Sequence, residues 1–365
     1  MKPTDLQSKV IAFMRFPLVV LLLFMHCNFT TLGGEWASLP FASRFIDIFS
    51  QRVVPIVIPV TFFISGYLFF KTGQFTLDIY IKKLIRRLQS LFVPYLLWNL
   101  LYLLLSIILG LFIGKVPILG IPFDDLTFTS SLKAFWNITL IPGSDTTIAA
   151  PIAIPFWFVR DLMVAMVCSP LIYFAVTWFI RLSGRRPLVR YIFFLVILFA
   201  IGYCPQVTGI NPDGWLFFAY GAYFGIKKKE FIVAMLPYAL PSFIMLAAIV
   251  GIEQLLPCEF IYRLEHVVGL IFIISLTTVM VRAGTWYVNM TLSNGSFFIF
   301  AFHYMLLGFI IWLYGTDTFI PHSAWLALLM YVLAVAVVVF FGLIFYWLMR
   351  TRLPFITYIL MGGRR

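Results

Sequence analysis

Runs of apolar residues about as long as a bilayer is thick recur along the whole chain, and they leave few folds open. A hydrocarbon core of ~30 Å is crossed by about 20 apolar residues in a helix. Charge clusters and Pro or Gly breaks divide the sequence into ten such runs, near residues 10–29, 53–70, 91–113, 155–180, 187–204, 214–226, 231–252, 266–281, 296–314 and 324–349. Inside lipid every backbone polar group needs an internal partner, so each run is predicted to be a helix. The sixth, GWLFFAYGAYFG, is short and rich in glycine. The fold class read from this pattern is an all-α polytopic membrane protein with about ten transmembrane helices. Of the 365 residues 62% are hydrophobic and only 11% charged, whereas a soluble domain carries about 25% charged residues. A single transmembrane domain over 1–365, with its core at about 10–349 and no appended soluble domain, is therefore expected. The first run has no small-residue cleavage site behind it and reads as a retained helix, not a signal peptide.

The net charge of +12 could suggest nucleic acid, but topology accounts for it. With the N-terminus placed in the cytoplasm, the inner side collects Lys2, Lys9, Lys71, Lys82, Lys83, Arg86, Arg87, Arg181, Arg185, Arg186, Arg190, Lys227, Lys228, Lys229, Arg282, Arg350, Arg352, Arg364 and Arg365. Against these 19 cations stand three acids, Asp5, Asp78 and Glu230. The outer side has five cations (Arg44, Arg52, Lys115, Lys133, Arg263) and ten acids (Glu35, Asp47, Asp124, Asp125, Asp145, Asp213, Glu253, Glu259, Glu265, Asp317). The bias alternates loop by loop, which predicts an even number of spans and both termini cytoplasmic. No nucleic-acid partner is expected. The four cysteines, Cys27, Cys168, Cys204 and Cys258, have neither CxxC spacing nor metal-ligand neighbours, so no metal site is expected.

Three charges, Arg15, Arg160 and Asp161, fall inside predicted spans, where even mild scales charge ~2.5–3.5 kcal/mol for each. Arg15 and His26 lie 11 residues apart on the first helix, which is about 20° past three full turns and a rise of ~16.5 Å. One helix face thus carries a cation toward the cytoplasm and a titratable base toward the outer half. The plainer alternative is an arginine snorkelling to headgroups and a histidine bonded to a neighbouring helix. His303, in AFHYMLL, sits near the middle of the ninth run, with helix-to-helix bonding as its plain reading. His266 and His322 are expected at outer helix ends, in solvent. Arg160 and Asp161 are adjacent in PFWFVRDL, so they should point about 100° apart and meet different helices. Lys82, Lys83, Arg86 and Arg87 in YIKKLIRRLQSLFVPY should share one side of a short amphipathic helix, facing lipid phosphates or a phosphate-bearing ligand. Residues 114–154 form the longest connection, read either as a lid or as a loose loop.

Together these residues resemble the acyltransferase family 3 membrane proteins. RFPLVVLLLFMH (Arg15 to His26) is similar to that family's first-helix signature, and FFISGYL (Phe62 to Leu68) to its FFxxSGYL segment. The basic run into LFVPYLLWN (Leu91 to Asn99) resembles its RxxR and Pro-Tyr segment, with Lys83 in place of the first Arg. PFWFVRDL (Pro155 to Leu162) and SFFIFAFHYMLL (Ser296 to Leu307) resemble the WFxxxL and late-helix His segments.

The resemblance implies transfer of an acyl group, most often acetyl, from cytoplasmic acyl-coenzyme A to a hydroxyl of a carbohydrate or lipid-linked glycan at the outer side, in a bacterial inner membrane. In that reading His26 and Arg15 are catalytic, with His26 as general base. Arg15, Lys83, Arg86, Arg87, Ser65 and Tyr67 would hold the donor, and Trp157, Arg160, Asp161 and His303 would meet the acceptor. Two other readings are a carrier or flippase for polar lipids or glycans, and a membrane O-acyltransferase of a different fold. Turnover of acyl-coenzyme A separates the enzyme from the carrier.

Overall fold

The computed structural model describes residues 3–364 apart from 117, 120, 145, 146, 185, 206, 317 and 318. Lys2, Asp145, Arg185, Asp317 and Arg365, counted above for sidedness, lie outside the described residues. The architecture is helical. In chain order the helices are α1 (Pro3–His26), α2 (Gly34–Ser38), α3 (Pro40–Ile48), α4 (Val57–Phe70), α5 (Leu77–Arg87) and α6 (Val93–Ile113). The middle of the chain forms α7 (Phe128–Ala134), α8 (Trp157–Val167), α9 (Ser169–Ser183), α10 (Pro187–Ile201), α11 (Pro212–Ile226) and α12 (Phe231–Met235). The last five are α13 (Ala239–Leu255), α14 (Glu259–Ala283), α15 (Met290–Tyr314), α16 (Ala324–Arg352) and α17 (Pro354–Leu360).

Among the described residues seven helical segments are long and apolar enough to span a membrane, and eight if a bent pair counts as one. The seven are Thr4–Leu32, Pro40–Phe70, Leu77–Ile113, Phe231–Leu255, Glu259–Ala283, Met290–Tyr314 and Ala324–Arg352. The fourth predicted run is the bent pair, α8 and α9, which meet at 67°. The break falls at Cys168, where Pro170 near the start of α9 offers no N–H to continue the ladder. The fifth run is apolar over Ile192–Ile201, and the sixth is the 15-residue α11, whose ~22 Å falls short of the hydrocarbon thickness.

The glycines of that short helix explain its composition. A Cβ on Gly221 would stand 1.9 Å from the carbonyl oxygen of Phe63, and one on Gly66 would stand 2.0 Å from that of Phe218. Helices α4 and α11 therefore touch backbone to backbone, as small residues permit between membrane helices. Around them α1, α14 and α15 complete a centre filled by Val10, Met14, Val60, Phe63, Phe218 and Ile274, all essentially inaccessible.

Helix starts follow local chemistry. Thr76, Asn211, Asn289 and Ser323 accept backbone N–H groups of the first turns of α5, α11, α15 and α16. Gly114 and Gly284, both at positive φ, close α6 and α14.

The long connection is a packed cover. Within it Val116, Leu119, Ile138 and Ile152 are buried, and α7 carries a capping box at Thr127 and Ser130. Tyr95 donates its hydroxyl to the Phe135 carbonyl, and the side-chain oxygen of the buried Asn99 accepts the Ala153 N–H at 3.0 Å.

Two expectations are corrected. Arg160 and Asp161 pair with each other: Nε donates to Oδ1 at 2.9 Å, with both side chains buried. The 100° between their Cα–Cβ directions is overcome by the length of the arginine, which curls back and still reaches the cover. There its Nη1 donates to the Trp136 carbonyl at 2.6 Å and its Nη2 to that of Ala149 at 3.3 Å. His266 is likewise not in solvent. It is 8% exposed, its ring packs 4.3 Å from that of Tyr262, and its Nε2 has no hydrogen-bond partner. The neighbouring Glu265 is fully buried, and Arg52 pairs with the buried Glu253 at 2.7 Å. These polar groups lie inside the helix packing near the start of α14, a position that hydropathy alone assigns to the rim.

Candidate functional site

A cavity of about 350 Å³ lies between α1, α4, α8 and α15. Three guanidinium groups reach it from three elements: Arg15 of α1, Arg87 at the end of α5, and Arg364 after α17. Among the described residues no carboxylate pairs with any of them, in contrast to Arg52, Arg160 and Arg263. Such a cluster of cations is stable only with an anion near it or with water around it. For Arg364, which lies outside the helical spans, burial and the neighbouring charges of Arg87 and Arg15 push the pKa down to about 10. It remains charged at neutral pH. Small polar groups line the same cavity: Ser65 and Thr61 from α4, Ser293 and Asn294 from α15. Ser293 also donates to the Ala12 carbonyl at 3.0 Å and so fixes α15 against α1.

Helix α1 gives the cavity a direction. Ile11, Arg15, Leu18, Val19 and Leu22 all face it, a stripe at the 3–4 residue spacing of one helix side. One turn past Leu22 on that stripe stands His26, the last residue of α1. The His26 ring lies 5.4 Å from that of His303 and 5.6 Å edge-on from Tyr304, both on α15. His303 is fully buried and its Nδ1 bonds the Phe300 carbonyl at 2.6 Å. The Nε2 atoms of both histidines are buried without partners.

The other residues singled out from sequence are distributed less simply. The basic run on α5 divides by face. Lys83 donates to the Phe69 carbonyl and to Thr72 Oγ1 at 3.3 Å, and so ties down the end of α4 instead of facing the cavity. Lys82 is exposed and pairs with Asp78 at 2.9 Å, and Arg86 is exposed, so of the four cations only Arg87 enters the cavity. Spacing explains why Lys82 and Arg86 are exposed together, since they share one side of the helix; Lys83 shares the side of Arg87 and is drawn away from the cavity by the end of α4. Within the SGY segment Ser65 faces the cavity, whereas Tyr67 is buried on the other side and accepts a bond from Gln7 Nε2 at 2.6 Å. Arg160 and Asp161 brace the cover, and Trp157 packs edge-on to Phe158, a cavity-lining residue.

Arg364, Ser293 and Asn294 were missed as site residues from sequence. The only sequence sign for Arg364 is the Gly-Gly pair before it; Gly362 and Gly363 adopt φ of +64° and +77°, which turns the chain back toward the cavity. Asn294, just before the ninth run, carries no sign of a cavity role in the sequence.

A family model described as an acyltransferase domain matches residues 10–347, nearly the whole chain. The chain belongs to the acyltransferase 3 family. It is an acyltransferase, and its long apolar helices make it a multi-pass membrane protein. Its sequence is 24% identical over 320 residues to the succinoglycan biosynthesis protein ExoH of Rhizobium meliloti (strain 1021), a match covering 82% of this chain and 78% of that one. No solved structure matches it. In an acyltransferase an anionic thioester donor supplies a reason for a cavity with three guanidinium groups that meet no carboxylate among the described residues. Among the described residues no cluster of three His, Cys, Asp or Glu side chains suited to a metal is present.

Proposed function

We propose that this acyltransferase moves an acyl group, acetyl first among the candidates, from cytoplasmic acyl-coenzyme A to a hydroxyl of a carbohydrate or lipid-linked glycan at the outer face of a bacterial inner membrane. The observation that carries this is the stripe on α1 that runs from the arginine-lined cavity to His26. In this reading the chain crosses the membrane ten times, with both termini cytoplasmic, and the shorter α10 and α11 are crossings made in contact with neighbouring helices. The relative's name, which places it in succinoglycan biosynthesis, favours a glycan acceptor and makes succinyl the next acyl group to test.

Arg15 and Arg87 attract the phosphates of the donor, since guanidinium groups fork onto phosphate oxygens. The acyl thioester extends along the α1 stripe to His26. There the neutral Nε2 takes the proton of the acceptor hydroxyl as its oxygen attacks the thioester carbonyl. The carbon–sulfur bond breaks, the thiolate leaves, and the proton returns to it from the imidazolium. His303, packed against His26, holds that ring in place.

The test uses purified protein in nanodiscs with acetyl- or succinyl-coenzyme A and membrane glycolipid. Release of free thiol coupled to acylated glycan supports the enzyme. Transport without thiol release would make the chain a carrier and overturn the reading.

A further inference from the structure

The cavity has a neighbour that none of the sequence signatures covers. A groove of about 570 Å³ lies between the end of α16 and α17, lined by Tyr346, Arg350, Phe355, Thr357, Tyr358 and Arg364. Arg364 lines both spaces and forms their common wall. Its guanidinium is held on one side by the Phe297 ring, 4.1 Å away, and on the other by the Met361 carbonyl at 2.9 Å.

The segment that carries it is fastened at several points. Trp98 Nε1 of α6 donates to the Leu360 carbonyl at 3.2 Å, and Gly363 N–H donates to the Tyr358 carbonyl at 2.8 Å. Gly362 passes so close to the backbone of Ser90 that a Cβ there would stand 2.5 Å from its carbonyl oxygen. The turn is therefore built to hold Arg364 where it is. Arg350, on the far wall, is exposed and bonds the Tyr346 hydroxyl at 3.2 Å, with no carboxylate partner among the described residues. Phe355 and Tyr358 are 73% and 46% exposed at the rim.

Two arginines that meet no acid among the described residues and two exposed aromatic rings match a ligand with phosphates and a planar base. The cavity beyond the shared arginine is mostly apolar, with Thr61, Ser65 and Asn294 as polar points along it, and its α1 stripe continues to His26, which matches a slim, largely apolar arm ending in a reactive group. We propose that the C-terminal segment after α16 is the donor's nucleotide subsite: Arg350 and Arg364 bind the 3′-phosphorylated adenosine end of acyl-coenzyme A, the diphosphate passes Arg364 to Arg15 and Arg87, and the pantetheine arm runs on along the α1 stripe. This rests on the acyl-coenzyme A reading above. The same chemistry also fits an anionic lipid headgroup, which the experiment separates.

The test compares acetyl-coenzyme A with S-acetylpantetheine, which lacks the nucleotide, using the full chain in phosphatidylcholine and in phosphatidylglycerol nanodiscs. The wild-type protein is expected to prefer acetyl-coenzyme A by at least a hundredfold in kcat/KM, with adenosine 3′,5′-bisphosphate as a competitive inhibitor. Arg350→Ala and Arg364→Ala should each cut that preference at least tenfold through the acetyl-coenzyme A KM, weaken the inhibitor in step, and recover part of both as Lys. Arg350 is exposed, so its variant keeps the test valid where Arg364→Ala disturbs folding. An unchanged preference in active variants, or a parallel loss for both donors, overturns the subsite and leaves the acyltransferase reading intact. A loss confined to phosphatidylglycerol nanodiscs assigns the pair to lipid and overturns it too. Absence of turnover with either donor in the wild-type protein would instead defeat the proposed function and the subsite with it.

Discussion

The rings of His26 and His303 lie 5.4 Å apart, and each presents a buried Nε2 with no hydrogen-bond partner. They are not equivalent. His303 has its Nδ1 fixed by the Phe300 carbonyl, which makes it the held member of the pair, while His26 ends the helix that lines the cavity. His26→Ala should therefore abolish turnover, a loss of at least ~100-fold for a general base, with coenzyme A binding retained. His303→Ala should lower kcat less, about tenfold, with the donor KM unchanged. Steady-state kinetics with a parallel binding measurement tests both. Loss of donor binding in His26→Ala would remove it from the chemistry.

The division of α5 by face predicts unequal effects from neighbouring arginines. Arg87 lines the cavity and Arg86 faces away. A hydrogen bond to a charged group is worth about 1.5–3 kcal/mol, so Arg87→Ala should raise the acetyl-coenzyme A KM tenfold or more. Arg86→Ala should raise it less than threefold. Equal effects would mean that surface charge, not cavity geometry, governs donor capture.

These two cases show what the sequence could and could not reveal. Period was enough for the helical character of the apolar runs, because lipid enforces internal backbone bonding wherever a run is long and apolar; among the described residues seven of the helical segments, or eight with the bent pair, are long and apolar enough to span a membrane. The directions of Arg15, Ser65 and His26 were legible because they lie on regular helices, where spacing fixes direction: Arg15 and Ser65 face the cavity and His26 stands one turn beyond it. Lys83 was misread because its side chain turns back on Phe69 and Thr72, which depends on where α4 ends. Arg364 was illegible as a site residue because its place depends on a tertiary turn against Ser90 and Trp98, contacts far away in the chain. The Arg160 and Asp161 pair was misjudged because ideal Cβ directions neglect the reach of a long side chain.

That pair also links the bundle to its cover, since Arg160 bonds carbonyls of Trp136 and Ala149. Removing one partner of a buried ion pair costs about 3–5 kcal/mol, because the other is left uncompensated. Asp161→Ala should lower the thermal midpoint in detergent micelles by several degrees and speed proteolysis within residues 114–154. An unchanged cleavage rate there would show that the pair does not hold the cover.

Gly66 and Ser65 are neighbours with opposite duties, one against the Phe218 backbone and one at the cavity. Gly66→Ala must push α4 and α11 apart, and overpacking of this kind costs about 1–3 kcal/mol. It should lower the thermal midpoint clearly, whereas Ser65→Ala should leave it within a degree and change the donor KM instead. Circular dichroism melts and kinetics on the two variants distinguish packing from binding within one signature.

Unpaired cations in one cavity repel one another, so an anion that fits there should stabilise the fold. Arg15, Arg87 and Arg364 meet no carboxylate among the described residues, and burial, with the charges of Arg87 and Arg15 added to it, already depresses the pKa of Arg364 to about 10. A phosphate ligand reverses that repulsion and raises the pKa of Arg364 again. A ligand bound only by the native state contributes about 2.7 kcal/mol at a hundred times its Kd. Coenzyme A should therefore raise the thermal midpoint by several degrees, and pantetheine, without phosphate, by much less. High salt should shrink the difference through screening. Arg87→Ala should reduce the coenzyme A shift by at least half. Equal shifts from coenzyme A and pantetheine would mean that the arginines do not read phosphate.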